Sequence, residues 1–170
     1  RKANVAFSDE QAAIEAVRVL SQSGLFPSNC RLISPMESFS MGIGDGSEAM
    51  LLLGFESHDH DPSARLARAL KICATHKGTP KADTTKDNAD DLAEAWKHKF
   101  LLAPYLRDAF IRCGVIMETF ETAVPWGQFG TFHQAVLKAT QEAVMAHCGM
   151  GFVMWRFTHV YPDGPAPYYT

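Results

Sequence analysis

The sequence predicts an α+β fold, in which ferredoxin-like split βαβ units form an antiparallel or mixed sheet with helices packed on one face. Three observations carry that prediction. Short β-rich runs alternate with stretches of helical period, as β-α-β, β-α in the first half and α-β-α-β-β in the second. At 170 residues, with 46% hydrophobic and 21% charged, residues 1–170 have the size and composition of one domain with a sizeable core. No apolar run is long enough to span a bilayer.

Val5-Ala6-Phe7 reads as the first strand. Ser8 then opens a helix, with Gln11 at capping-box spacing and Ala12, Ala13, Ile14, Ala16, Val17 and Leu20 as its apolar stripe. Gly24 stops it. A second strand covers 30–34, with Arg31 at its centre, where an ion pair at a strand edge or facing another domain is the plain reading. Residues 36–41 read as a short helix or turn. The glycines of 42–46 lack both a preceding strand and the Lys-Ser/Thr of a phosphate loop. Residues 50–56 form an apolar strand. His58, Asp59, His60 and Asp61 follow, but adjacent side chains diverge, so a solvated loop is predicted rather than a metal site. A helix over 63–76 buries Leu66, Ala67, Ala69, Leu70, Ile72 and Cys73, and 78–91 is a polar loop.

The second half begins with a short helix over 92–100, Trp96 and Phe100 on one side. Pro104 opens another, with Leu106, Ala109, Phe110 and Cys113 as its buried stripe, Arg107 off that stripe and Gly114 at its end. A strand over 115–123 leads through Pro125-Trp126 to a helix over 128–146, whose core positions are Phe132, Ala135, Val136, Ala139, Ala143 and Val144. The last stretch is a hairpin about Pro162-Asp163-Gly164-Pro165. Counting outward from Asp163-Gly164 pairs His159 with Tyr168. Strand alternation puts Arg156 and Thr158 on one face, and Trp155, Phe157, His159 and Tyr161 on the other.

A net charge of −3 argues against a dedicated nucleic-acid binder. Cys30, Cys73, Cys113 and Cys148 are widely spaced, which predicts reduced, mostly buried thiols and an intracellular home. Arg107, Glu118, Glu121, Arg156, Thr158, His159 and Tyr168 are the polar residues to weigh. Glu118 and Glu121 face opposite ways on a strand and are no glycosidase pair. His159 reads either as a satisfied core histidine or as the lining of an active site. Tyr168 reads either as strand packing or, beside His159, as half of a proton-transfer pair.

Tyr105-Leu106-Arg107-Asp108, Gly114, the block Glu118-Thr119-Phe120-Glu121-Thr122 before Pro125-Trp126, and Trp155–Tyr161 through Tyr168-Tyr169 supply more. In these motifs, and in Val5-Ala6-Phe7 and Arg31-Leu32, the chain resembles the C-terminal part of the alkyldihydroxyacetonephosphate synthase (alkylglycerone-phosphate synthase) family, within the vanillyl-alcohol-oxidase-like flavoproteins. The resemblance thins over 42–91. It implies a cap or substrate-binding domain whose partner is an FAD-binding domain of the same polypeptide, so that residues 1–170 would be inactive alone. The implied reaction exchanges the acyl group of acyl-dihydroxyacetone phosphate for a fatty alcohol, in ether-lipid synthesis, without net redox change. By position, Tyr168 matches the active-site tyrosine, Arg107 an active-site arginine that would hold an anionic head group, and Arg31 an arginine that keeps the flavin site intact by positioning. Arg156 and Thr158 fall on motif positions to which the resemblance assigns no definite role, and Arg156 is carried as a substrate-binding candidate. His159 stands where animal members carry glutamine. It pairs with Tyr168 in the catalytic reading, and opens the alternative of an FAD-linked oxidoreductase on a small 2-hydroxy acid such as D-lactate or glycolate. No residue is assigned to a metal. The family's histidine-rich loop and its FAD-cradling loop are not in the chain. The resemblance further implies a homodimeric parent, cytoplasmic in a bacterium or peroxisomal in a eukaryote, with membrane-surface association open. A third reading, a binding module without enzymatic role, predicts no flavin domain upstream in the gene.

Overall fold

The structure is a computed structural model that describes residues 1–81, 101–102 and 104–170. The helix expected over 92–100 and most of the loop expected over 78–91 lie outside the described residues. In chain order the elements are β1 (Lys2–Phe7), α1 (Glu10–Gln22), β2 (Asn29–Ile33), α2 (Pro35–Ser40), β3 (Ala49–Gly54), α3 (Ser63–Thr75), β4 (Thr79–Pro80), β5 (Phe120–Glu121), α4 (Trp126–Cys148), β6 (Trp155–Val160) and β7 (Pro165–Tyr169). Residues 104–112 are also helical.

The strands form one sheet in the order β4-β1-β3-β2-β6-β7-β5, and every pairing is antiparallel. Its first half, β1-α1-β2-β3-α3-β4 with strand order 4-1-3-2, is the split βαβ unit that the sequence predicts. The second half adds β6, β7 and β5 across a single seam, where Ile33 of β2 lies opposite Arg156 of β6.

Paired residues on neighbouring strands share a face of the sheet. One face carries Val5, Phe7, Leu51, Leu53, Cys30, Leu32, Trp155, Phe157 and Tyr169, all buried in one apolar cluster with α1, Ala69 and Cys73 of α3 and Phe129 of α4. Helix α1 forms where its apolar spacing predicts, and Ala13, Ile14, Ala16, Val17 and Leu20 are buried. Its cap is one residue later than expected: the Asp9 carboxylate, not Ser8, accepts from the backbone N–H of Gln11 at 3.0 Å and of Ala12 at 3.3 Å.

Of two expected stripes, that of the 104–112 helix is not core, and that of α4 is core in part, with Phe132 and Val136 half-buried against the apolar cluster. Leu106 and Phe110 of the 104–112 helix are exposed, as is Cys113. In α4, Ala135, Ala139 and Ala143 are exposed, and the buried positions are Phe129 and His133. Those two are four apart and meet the aromatic side chains of β6 and β7, so the aromatic face wins over the alanine face. Cys30 and Cys73 are buried, and desolvation pushes both thiols up to about 12, whereas Cys113 and Cys148 are exposed.

The expected strand over 115–123 shortens to β5, and the reason for its early end after Glu121 is visible in β7. The N–H groups of Thr122 and Val124 donate to Pro167 and Pro165 at 3.2 and 3.3 Å, but those prolines have no N–H to return. The ladder becomes one-sided and ends, while the segment still runs alongside β7. It then crosses the hairpin turn, where Trp126 N–H donates to the Asp163 carbonyl at 3.0 Å. Gly164 is required at that crossing, because a Cβ there would sit 2.1 Å from the Val124 carbonyl oxygen. Gly164→Ala is therefore expected to lower unfolding free energy by about 2 kcal/mol or more. Gly127→Ala, which meets nothing within 4 Å inside α4, should raise it by about 0.5–1 kcal/mol. Urea unfolding midpoints of the two variants check both signs.

Candidate functional site

The face of the sheet turned away from α1, α3 and α4 gathers most of the polar residues singled out in the sequence. Arg31 is opposite Leu52, Arg156 opposite both Ile33 and Tyr168, and Tyr168 also opposite Glu121. Arg31, Arg156, Tyr168 and Glu121 therefore share that face.

His159 joins them through a β-bulge. The pairing runs Trp155↔Tyr169, Arg156↔Tyr168, Phe157↔Pro167, then His159↔Ala166, so Thr158 is the extra residue. The turn closes from Tyr161 N–H to the Gly164 carbonyl and so centres on Pro162-Asp163, one residue earlier than expected, which replaces the expected His159–Tyr168 pair by His159–Ala166. The bulge beyond it then sets Arg156 opposite Tyr168. The expected face also changes: His159 leaves the Trp155 and Phe157 side for the side of Ala166 and Tyr168. It is exposed, with its ring 6.5 Å from that of Tyr161.

At the centre of this face sits Arg156. Its guanidinium carbon lies 4.0 Å from the centroid of the Tyr168 ring, a cation–π contact. One terminal nitrogen donates to the Glu37 carboxylate, which α2 brings in from the first half of the sheet. The pair is withdrawn from water, with side-chain exposures of 13% for Arg156 and 2% for Glu37. Desolvation raises the Glu37 carboxyl above its usual range, and Arg156, then Arg31, pull it back. Arg31 is lowered by desolvation first and by the Arg156 charge second. Among the described residues, Glu37 Oε2, Ser38 Oγ, Arg156 Nε and Thr158 Oγ1 are buried without a hydrogen-bond partner. That concentration of unmet polar atoms lies around one ion pair.

Arg107 is placed elsewhere. It is exposed on the 104–112 helix and paired with Glu118, which holds its guanidinium above the usual range. Among the described residues no hydrogen bond, ion pair or ring contact joins Arg107 to Arg156, Tyr168 or His159.

The reading of residue types alone missed Glu37 and His133. Glu37 had one signal, a carboxylate in the first turn of a helix opened by Pro35, which also fits dipole compensation alone. His133 is the core histidine of the structure, a role weighed for His159. Its Nδ1 is 2.9 Å from the Tyr169 hydroxyl, and its ring stacks on Phe129 with centroids 5.0 Å apart. Burial alone lowers its pKa to about 4, and burial raises that of Tyr169 to about 12.

The model of the family described as FAD linked oxidases, C-terminal domain, matches residues 1–170. The chain belongs to that family. Among solved structures it is similar to alkyldihydroxyacetonephosphate synthase in two crystal forms, with TM-scores of 0.75 and 0.81 and sequence identities of 16% and 15%. Each match covers 99% of this chain and 35% or 34% of the other, so the chain spans about a third of those proteins. A comparison with curated proteins finds no match. The structural likeness is one of fold. In this FAD-linked oxidase domain no described helix is long and apolar enough to cross a membrane.

The buried histidine makes a pH prediction. Its folded pKa of about 4 lies below the unfolded value, so the neutral ring is the form that fits the core. The stability it contributes is full above about pH 6.5 and is lost as pH falls toward 4, by at most about 3 kcal/mol. His133→Phe should flatten that part of the curve, as read by denaturant unfolding at pH 7, 5.5 and 4.5.

Proposed function

We propose that the chain is the substrate-facing domain of an FAD-dependent enzyme of the alkylglycerone-phosphate synthase type, which exchanges the acyl group of acyl-dihydroxyacetone phosphate for a fatty alcohol. The observation that carries this is the face of the sheet turned away from α1, α3 and α4, on which Tyr168, Arg156, Arg31 and His159 stand together. A sheet normally leaves such a face polar and solvated. This one withdraws an Arg–Glu pair from water and strands four side-chain polar atoms around it, a cost in keeping with a surface built to meet another polar body.

Family membership implies FAD, and the residues fit one side of it. The glycine loop 42–46 is folded onto α2, since a Cβ at Gly44 would lie 2.7 Å from Ser38 Oγ and one at Gly46 would lie 3.3 Å from Phe39. It packs against its own helix rather than cradling a diphosphate. Arg31, Arg156 and Tyr168 instead suit the ring and substrate side, with the diphosphate left to the proposed FAD-binding domain. When bound, the flavin supplies the electron-accepting centre of the reaction.

In this proposal Tyr168 holds or moves the proton at the substrate's reactive carbon, and Arg156 presents cationic surface beside it. Arg156 and Arg107 are both kept on the substrate side, with the exposed Arg107 paired to Glu118. Arg31 acts by positioning. His159 is a diagonal neighbour of Tyr168 across the hairpin, at roughly 7–8 Å on general sheet geometry, a separation that aromatic side chains can span.

The exposed His159 on the same face as Tyr168 favours a second reading, an FAD-linked oxidoreductase on a small 2-hydroxy acid. There His159 would take the hydroxyl proton while hydride leaves for the flavin. The same residues serve both readings, and the complete gene product separates them. Reduction of the flavin by D-lactate, without acyl-for-alkyl exchange, would overturn the transferase. Tyr168→Phe should preserve flavin content and lower turnover at least about 100-fold. A nearly unchanged rate would make Tyr168 a packing residue. A gene with no flavin-binding segment upstream would overturn both enzymatic readings in favour of a binding module.

A further inference from the structure

We infer that Glu37 is a positioning residue for Tyr168, acting through Arg156. The inference rests on the proposed use of Tyr168 in proton handling and adds to it a residue that neither composition nor family likeness singles out.

Glu37 is an expensive residue to keep where it is. It is 2% exposed, its carboxyl is pushed up by desolvation, and it lies outside the apolar cluster. A six-residue helix exposing Met36 and Phe39 has little packing need for a buried carboxylate at that point. What the carboxylate does is tether one end of the Arg156 guanidinium. The other feature of Arg156 is its place over Tyr168, at 4.0 Å from the ring centroid. A guanidinium pinned at one terminal nitrogen by a charge-assisted bond cannot swing off the ring without breaking it.

The anchor itself is fixed. Ser34, which precedes α2, donates its N–H to the Trp155 carbonyl at 3.0 Å, and the Trp155 N–H donates to Ser34 Oγ at 3.2 Å. These two bonds tie the start of α2 to the residue beside Arg156. The chain of constraint therefore runs from Ser34–Trp155 to Glu37, to Arg156, to the Tyr168 ring. Arg31 biases the same carboxylate from β2, its charge favouring the ionised form of Glu37. Glu37 thus connects a first-half residue held to act by positioning with the second-half tyrosine held to do chemistry.

The test uses the complete gene product grown with 3-fluorotyrosine, in which the Tyr168 fluorine line is assigned by its loss in Tyr168→Phe. Three proteins are compared: wild type, Glu37→Gln, and the double variant Glu37→Met with Arg156→Met. The double variant removes both charges, so it keeps the fold where the single one leaves Arg156 uncompensated. Turnover is read with D-lactate, and with palmitoyl-dihydroxyacetone phosphate plus hexadecanol. The expected result is a normal flavin spectrum, a Tyr168 line moved beyond its linewidth in both variants, and kcat lowered about 10- to 100-fold, with KM within about twofold in Glu37→Gln and raised in the double variant, which also lacks the substrate-side Arg156. If Tyr168→Phe abolishes turnover while both Glu37 variants keep the wild-type line and kcat, the inference falls and the functional reading stands. A moved line with wild-type kcat also overturns it, as a contact without consequence for chemistry. If Tyr168→Phe keeps full turnover, the functional reading falls and the positioning role with it, whatever the fluorine line does.

Discussion

The β2–β6 seam is the constraint on which the rest of the structure depends. A single ladder pair, Ile33 with Arg156, joins the split βαβ half to the hairpin half, reinforced by the two hydrogen bonds between Ser34 and Trp155. On the helix side the seam is closed by Leu32, Trp155 and Phe157, all buried. On the other side it is closed by the Glu37–Arg156 ion pair, which spans the two halves. An ion pair is a poor source of net stability, because desolvating both partners consumes most of the attraction. Its value at a seam is directional: breaking it strands a charge, so misregistered pairings of the halves are penalised more than the correct one is rewarded. The arrangement that fixes the register is also the arrangement that sets Arg156 over Tyr168.

Two consecutive tyrosines divide the labour of the last strand. Tyr169 points into the core, stacks on Phe120 at 5.0 Å between centroids, and meets His133 at 2.9 Å. Its hydroxyl and the neutral imidazole satisfy each other, which is what allows both to be buried without charge. Strand alternation then leaves Tyr168 no choice of face. The position of the residue on the chemical side is thus set by the packing of its neighbour, and α4 contributes to the site through His133 without reaching it.

Much of this was legible in the sequence, and the failures have identifiable causes. Three strands of the 4-1-3-2 unit follow from apolar period and turn residues, while β4 falls at the start of the stretch expected as a loop. The hairpin follows from Pro162-Asp163-Gly164-Pro165, but its turn centres on Pro162-Asp163, one residue before the expected Asp163-Gly164. The Thr158 bulge does not follow. It carries no glycine, and an extra residue in one strand is invisible to alternation counted along that strand alone. That residue put His159 on the face opposite Trp155 and Phe157, while the turn, centred one residue earlier than the count assumed, had already set His159 opposite Ala166 instead of Tyr168. The core-histidine argument was sound in kind, but at the level of pattern His133 and His159 both sit among aromatics, and only the helix–strand docking separates them. The stripe of 104–112 and the alanines of α4 show the opposite limit. Amphipathicity states that a face is apolar, not that this chain covers it.

The hairpin register also changes what the two polar side chains can do together. Side by side, an imidazole and a phenol bond to each other, and a proton passing between them stays within the protein. Offset by two positions along β7, with Ala166 opposite His159 and Arg156 over Tyr168, each has its own electrostatic setting. Tyr168 faces a cation whose charge Glu37 partly balances, while His159 is open to solvent. A substrate lying between them would meet two proton-handling groups from two sides, one held rigidly and one free to adjust. For a hydroxy acid that geometry separates the site of hydroxyl deprotonation from the side chain that orders the rest of the molecule. For an acyl-dihydroxyacetone phosphate it leaves only Tyr168 in a fixed relation to the reacting carbon. The choice between the two chemistries therefore turns less on which residues are present than on the hairpin register, which sets them two positions apart along β7.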